Sequence, residues 1–462
     1  MTMMKTSTTS LLIQGGTVVR ADGEKTMDVL VTNGEIRGLG LGLGKTEGME
    51  IIDAKGLLVM PGLIDCHVHF REPGLEHKAT MESESAAAYA GGVTTVCEMP
   101  NTVPPTVSVN ALQDKVRRSQ NLRVDMRFFF GATEMHHLEE LKQLFTDASL
   151  APLRARCCGL KLYLDHSTGD QKAPKGVIDE AFRVCAELKI PVVCHCEDTE
   201  MNAAAQRGLS GRSQDIAIHS EMRPPESEEK SIKEALALAK KYGTHLHVAH
   251  LSTKGGVDLI RAAKKSGITV TCEVAPHHLL MTIDDYTKLG PLAKMNPPLR
   301  TKEHQDALWA GIADGTIDCV STDHAPHTLQ EKLAAATPAS PLAAPSGVPG
   351  VETMLSLLMS VASGEWPNPS EIADYGLRKN SQSEIRNPKF AIVDIVRLCF
   401  ENPNHIFNVG KRGIVEGAPA DLILVDPKKK WVITGKELHS KCGWTPYEGW
   451  KALGEVVRVI HS

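Results

Sequence analysis

Residues 62–70 read GLIDCHVHF, an apolar run interrupted by one aspartate and two histidines, and a Pro-Gly breaker follows at 73–74. A strand exposed on one face would alternate apolar with polar residues; a run this continuous is a strand covered on both faces. Seven more follow in order: GVTTVCEM (92–99), VDMRFFFG (124–131), CCGLKLYL (157–164), IPVVCHCE (190–197), HLHVAHLS (245–252), TVTCEVAPHH (269–278) and TIDCVSTDH (316–324). Stretches with helical spacing separate them, among them MESESAAAYAGG, VIDEAFRVCAELK and GVDLIRAAKKSG. Eight strand–helix alternations indicate a parallel sheet covered by helices, which most simply closes as a (β/α)8 TIM barrel. An open doubly wound sheet is the alternative, but no glycine-rich phosphate loop follows the first strand.

Both chain ends carry a different rhythm. Residues 1–60 hold short alternating runs punctuated by Gly, Asp and Asn, and β signals return in APADLILVDPKKKWVIT and GEVVRVIHS. The layout predicted is therefore a small β-sandwich made of residues 1–60 and 411–462, with the barrel, 61–410, inserted between its halves. The Ala- and Pro-rich segment 326–350 is expected to be a long loop near the barrel mouth. Residues 368–387 read as a polar insertion to which no function attaches.

Composition narrows the function classes. The chain has 462 residues and a formal charge of −5, which speaks against a nucleic-acid or anionic-membrane partner. Aromatic residues are only 4%, too few for base-stacking platforms. No apolar run approaches the length of a membrane span, and the start lacks the apolar core of a secretory signal. Eleven cysteines, an odd number with no C-x-x-C pair, suggest reduced thiols in a cytoplasmic setting.

The polar residues fall at one place in this architecture. His67 and His69 end the first strand, Asn101 follows the second, Lys161 lies in the fourth, His195 ends the fifth, His250 the sixth, and Asp323, His324 and His327 the eighth. Barrel active sites are assembled at the strands' C-terminal face. Residues two apart on a strand share a side, so His67 and His69 can both point into the mouth. Neutral imidazoles with a carboxylate form a ligand set suited to zinc. A single strand-end histidine is usually a satisfied core group; four histidines and an aspartate at such ends make metal binding the better reading. Lys161 stays open between a lysine paired with a carboxylate and one carboxylated by CO2 into a metal-bridging anion.

The strings PGLIDCHVHFREPG, AGGVTTVCEMPNTVPPT, GLKLYL, CEVAPHHL, NPPLR, STDHAPHTLQEK and GVPGVET resemble the dihydroorotases of the amidohydrolase superfamily. The likeness continues through ENPNHIFNVGKRGIVEGAPADLILVD and WTPYEGWKALGEV, so it spans nearly the whole chain. The resemblance implies a TIM barrel with a β-sandwich, and two zinc ions per chain. His67, His69, carboxylated Lys161 and Asp323 would hold one; Lys161, His195 and His250 the other, with a hydroxide between them. Asp323 would act as general acid/base in the reversible cyclisation of N-carbamoyl-L-aspartate to L-dihydroorotate, a step of pyrimidine synthesis.

Dihydroorotate carries a carboxylate that the usual substrates of allantoinases, hydantoinases and dihydropyrimidinases lack. Arg71 offers a fork for it, rather than pairing with Glu72 or Glu76 at the surface. The resemblance adds Asn101, Asn296, His327 and the Gly347 backbone as substrate contacts, Ser167 and Thr168 as loop contacts, and a homodimer. Glu273 matches a position that helps to hold a third metal in some relatives. Ala249 replaces the cysteine that accompanies it, so a third zinc is not expected. Lys161 stands where some bacterial relatives have Asp, which favours the carbamate. A different cyclic-amide hydrolase, or a barrel that has lost its metals and serves as a scaffold, are the other readings; the scaffold is disfavoured because every ligand position is filled.

Overall fold

Strand-forming runs pair in the order in which the chain makes them. The computed structural model describes residues 10–166, 171–209, 215–334, 341–366 and 390–461. In it the strands Leu63–Val68, Val93–Glu98, Asp125–Gly131, Cys157–Tyr163, Val192–His195, Leu246–Val248, Val270–Val274 and Cys319–Val320 form one eight-stranded sheet in which every neighbour is consecutive. Each pair is parallel. The last strand returns to the first: Val68 bridges His324 in parallel, and His69 N–H donates to His324 O at 2.7 Å. Thr322 N–H adds a bond to the Asp65 carboxylate at 3.0 Å. The sheet is thus a closed barrel without an exposed edge, as the eight apolar runs predict.

Helices cover the outer face and start where side chains cap them. Thr80, Ser108, Asp198 and Thr253 each accept a backbone N–H from the first turn of the helix that follows, which satisfies donors that a helix start leaves orphaned. All six residues of Leu63–Val68 are buried, the signature of a strand walled on both sides.

A second sheet joins both chain ends. Strands Ser10–Arg20, Gly23–Thr32, Glu35–Gly40, Glu50–Asp53 and Leu58–Pro61 combine with Asp421–Val432 and Lys451–His461. The junction is the antiparallel pairing of Leu58–Pro61 with Asp421–Val432. Strand alternation lets this wall serve two cores. Val59, Leu422 and Leu424 face a small core with Ile13, Val29 and Ile36, whereas Leu58, Met60, Ile423 and Val425 face the main core.

Two segments carry helical turns that the sequence did not signal. In TVTCEVAPHH the strand stops at Val274, and Pro276–Leu280 is a short helix. Pro276 has no N–H for a ladder bond and is pre-set for a first helical turn. Within 326–350 the structure adds a short helix at Leu329–Ala334 and buries residues 347–350, and Ser346 and Gly347 reach the barrel mouth. No helix among the described residues is long and apolar enough to cross a membrane.

Candidate metal and active site

At the strands' C-terminal ends lies a cavity lined by His67, His69, Arg71, Asn101, Tyr163, His195, His250, Asn296, Asp323, Ala325, Ser346 and Gly347. His67, His69 and Asp323 are all buried, with one ligand atom from each within 4.8 Å of the others. The Asp323 carboxylate stands 3.1 Å from His69 Nε2 and 3.5 Å from His67 Nε2. On the other side of the cavity His195 Nδ1 faces His250 Nε2 at 2.9 Å, and the His67 and His250 rings, 5.2 Å apart, join the two groups.

Three of the four rings are held by the far nitrogen, whereas His250 Nδ1 makes no hydrogen bond among the described residues. His67 Nδ1 donates to Glu273, His69 Nδ1 to Asn101 Oδ1 at 2.6 Å, and His195 Nε2 to Glu197 at 2.8 Å. A neutral imidazole has one proton, so these bonds leave the nitrogens that face the cavity side with bare lone pairs. The 2.9 Å between His195 Nδ1 and His250 Nε2 is close to the roughly 3.3 Å between two ligands of a tetrahedral zinc with 2.0–2.1 Å bonds. This donor set fits divalent metal ions.

Glu273 accepts from His67, from His247 Nε2 at 3.2 Å and from the Cys66 thiol at 3.3 Å. Its carboxylate is occupied in orienting His67.

Lys161 Nζ is buried and makes no hydrogen bond, and no carboxylate forms an ion pair with it among the described residues. Burial pushes this ammonium down from its ordinary range, against the pull of Glu273 and Asp323. The salt-bridge reading of Lys161 therefore has no partner here, and an unsatisfied buried amine fits conversion to a charged ligand. Burial works to raise Asp323, but His67, His69 and His277 outweigh it and hold the carboxyl well below its usual range.

Arg71 is 2% exposed and does not bond to Glu72 or Glu76. Its Nε donates to Pro326 O at 3.0 Å and its Nη2 lies 3.2 Å from His327 Nε2, while Nη1 makes no bond among the described residues. Arg71, His250 and Asp323 all have left-handed backbone, at φ of 68°, 34° and 47°. Such conformations cost a non-glycine residue roughly 1–3 kcal/mol and gather at functional sites.

Asn101, Asn296 and Gly347 line the cavity as expected. Gly347 is required there: its φ is +138°, and a Cβ would stand 2.6 Å from Ala325 O. His327 is buried against Arg71 and Gly347, where its Nδ1 takes a bond from Lys78 Nζ at 3.0 Å and its Nε2 meets Ser346 O at 3.0 Å. Ser167 and Thr168 lie outside the described residues, as does the 368–387 insertion.

Sequence reasoning missed Tyr163, Ser346, Glu197 and His277. Glu197 was signalled by its place two residues after His195; the ring of His277, buried near Asp323, makes no hydrogen bond among the described residues. A wider crevice, lined by Asp125, Arg156, Lys411 and His461 among others, lies where the third strand begins, at the barrel's opposite end. Its cations pair with Asp125 and Asp421.

A closed (β/α)8 barrel that gathers four histidines, a lysine and an aspartate at its strand ends defines a class of barrel enzymes built for hydrolysis. The model of the Amidohydrolase family matches residues 58–461, and the chain belongs to that family. It is 38% identical over 434 residues to a protein of Halobacterium salinarum named Dihydroorotase, covering 93% of this chain and 91% of that one. A Halalkalibacterium halodurans protein of the same name is 35% identical, covering 97% and 96%. Among solved structures, the L-hydantoinase (dihydropyrimidinase) from Arthrobacter aurescens superposes with a TM-score of 0.85 at 28% identity, covering 98% of this chain and 95% of that one. Dihydropyrimidinase from Brevibacillus agri NCHU1002 gives 0.84 at 25%, covering 97% and 93%.

Proposed function

We propose that this chain is a zinc-dependent dihydroorotase, interconverting N-carbamoyl-L-aspartate and L-dihydroorotate plus water in pyrimidine synthesis. The observation that carries the reading is Arg71, a buried guanidinium on the cavity wall with Nη1 unengaged, beside the His67–His69–Asp323 cluster. A ring substrate with a carboxylate matches that fork; an uncharged hydantoin or dihydropyrimidine leaves it unpaired, and burying an unpaired cation is costly. The names of the relatives at 34–38% identity agree. The hydantoinase structures support the second reading, a ring-opening enzyme for uncharged cyclic amides.

In this proposal His67, His69, Asp323 and carboxylated Lys161 would hold one zinc, and Lys161, His195 and His250 would hold the other. When bound, the metals supply a water acidic enough to attack at neutral pH and a Lewis acid for the carbonyl. The protein supplies the rest. Arg71 anchors the ring carboxylate and so fixes which carbonyl faces Asp323. In ring opening, water adds to the ring carbonyl carbon and the C4–N3 amide bond breaks. An Asp323 Oδ takes the proton from the attacking water and returns it to N3; cyclisation runs the same steps backwards. All eleven cysteines are free, which supports work in the reducing cytoplasm.

The test is ring opening of L-dihydroorotate measured beside dihydrouracil, hydantoin and allantoin. Turnover of the first, with about two zinc per chain, is expected; turnover of the uncharged rings alone would establish the second reading. Lys161→Ala should abolish activity, and near-normal turnover of that variant would make Lys161 only structural.

A further inference from the structure

Besides Asn101, which His69 orients, the cavity has a second side-chain amide whose orientation is dictated from behind. His219, in the short helix Ile218–Met222, is buried. Its Nε2 lies 3.0 Å from Met295 O and 3.0 Å from the Asn296 amide oxygen. A backbone carbonyl offers only lone pairs, so Nε2 must carry the imidazole's proton. The amide atom sharing that N–H must then also be an acceptor, because an NH2 there would set hydrogens against hydrogen. Ser346 Oγ donates to the same Asn296 oxygen at 3.2 Å. Burial, with Lys294 and Arg223 nearby, brings His219 down to about 3, so the ring stays neutral with a single proton. The other end of the amide, Nδ2, makes no hydrogen bond among the described residues, and Asn296 lines the cavity.

We propose that His219 is a positioning residue: with Ser346 it holds Asn296 Oδ1, so that the amide presents its NH2 to the cavity. The site then accepts a ligand that places a carbonyl or carboxylate oxygen against Asn296 and rejects one that places a ring N–H there. This deepens, and for its kinetic part rests on, the dihydroorotase reading. Without the His219 donor the amide can turn over, and the substrate oxygen meets another oxygen.

Neutron diffraction from deuterated crystals of the full chain tests the orientation directly. Deuterium is expected on His219 Nε2, with the two amide deuterons of Asn296 on the cavity side; a bare Nε2 or an amide oxygen facing the cavity overturns the proposal. Kinetics test the consequence. His219→Leu should raise the KM for dihydroorotate roughly tenfold with kcat nearly unchanged, and His219→Gln, which keeps a donor, should restore most of it. In an Asn296→Ala background His219→Leu should add no further rise. An equal rise there marks His219 as merely structural and overturns the proposal. Should the leucine variant not fold, a raised KM in His219→Gln alone overturns it. If the wild type opens no dihydroorotate, the functional reading fails while the neutron map still decides the role of His219.

Discussion

The carboxylate of Glu197 accepts a hydrogen bond from His195 Nε2 at 2.8 Å, and Arg223 pairs with the same carboxylate from behind. This fixes the His195 tautomer and leaves Nδ1 toward His250. Replacing Glu197 with Gln keeps the shape and removes the charge that holds the ring. We expect zinc affinity to fall roughly 10- to 100-fold, measured by competition with a chromophoric chelator, with little change in fold by circular dichroism. Wild-type affinity in Glu197→Gln would show that His195 is not a ligand oriented by this pair.

Lys332 staples the cavity wall. Its buried ammonium donates to Lys294 O at 2.9 Å, Pro345 O at 3.0 Å and Gly347 O at 3.0 Å, tying the segment that carries Ser346 and Gly347 to the one that carries Asn296. Lys332→Met leaves three carbonyls without a donor. A loss of about 3 kcal/mol or more in unfolding free energy is expected, together with a raised KM. Unchanged urea midpoint and KM would contradict the staple.

Stability should also depend on Glu228. Burial pushes this carboxyl up to about 7, against Arg300 and Ser252, from the ordinary 4.5. The folded state therefore holds a proton that the unfolded chain has released between those two values. The stabilisation is full below pH 4.5 and is lost as pH rises through about 7. A shift of this size corresponds to about 3 kcal/mol. Urea unfolding from pH 5 to 8 should show that decline, and Glu228→Gln, which cannot titrate, should flatten it. An unflattened slope would assign the dependence to other groups.

Much of this was legible in the chain because period and position carry it. Continuous apolar runs such as those at 62–70 and 190–197 marked walled strands, and the chemistry clustered at their ends. Alternation in Leu422–Val425 was readable too, though not that its two faces serve two cores. What the sequence hid was long-range. Pairing of Lys332 with Gly347 depends on how a loop folds back, and nothing local marks it. His327 carries the right chemistry for a substrate contact, but its packing against Arg71 and Lys78 could not be read from its place four residues after Asp323. His219 lies in a short helix with no periodic signal, and its meaning arises only from Met295 and Asn296, far along the chain.

The central claim is that Arg71 makes this cavity selective for an anionic ring. The most direct test is the ratio of kcat/KM for L-dihydroorotate to that for dihydrouracil, in the wild type and in Arg71→Lys. A lysine keeps the charge and loses the planar fork. A strong wild-type preference for dihydroorotate is expected, with a ratio that falls roughly tenfold or more in the variant, through KM for the anionic substrate. A ratio that stays the same in Arg71→Lys would contradict it.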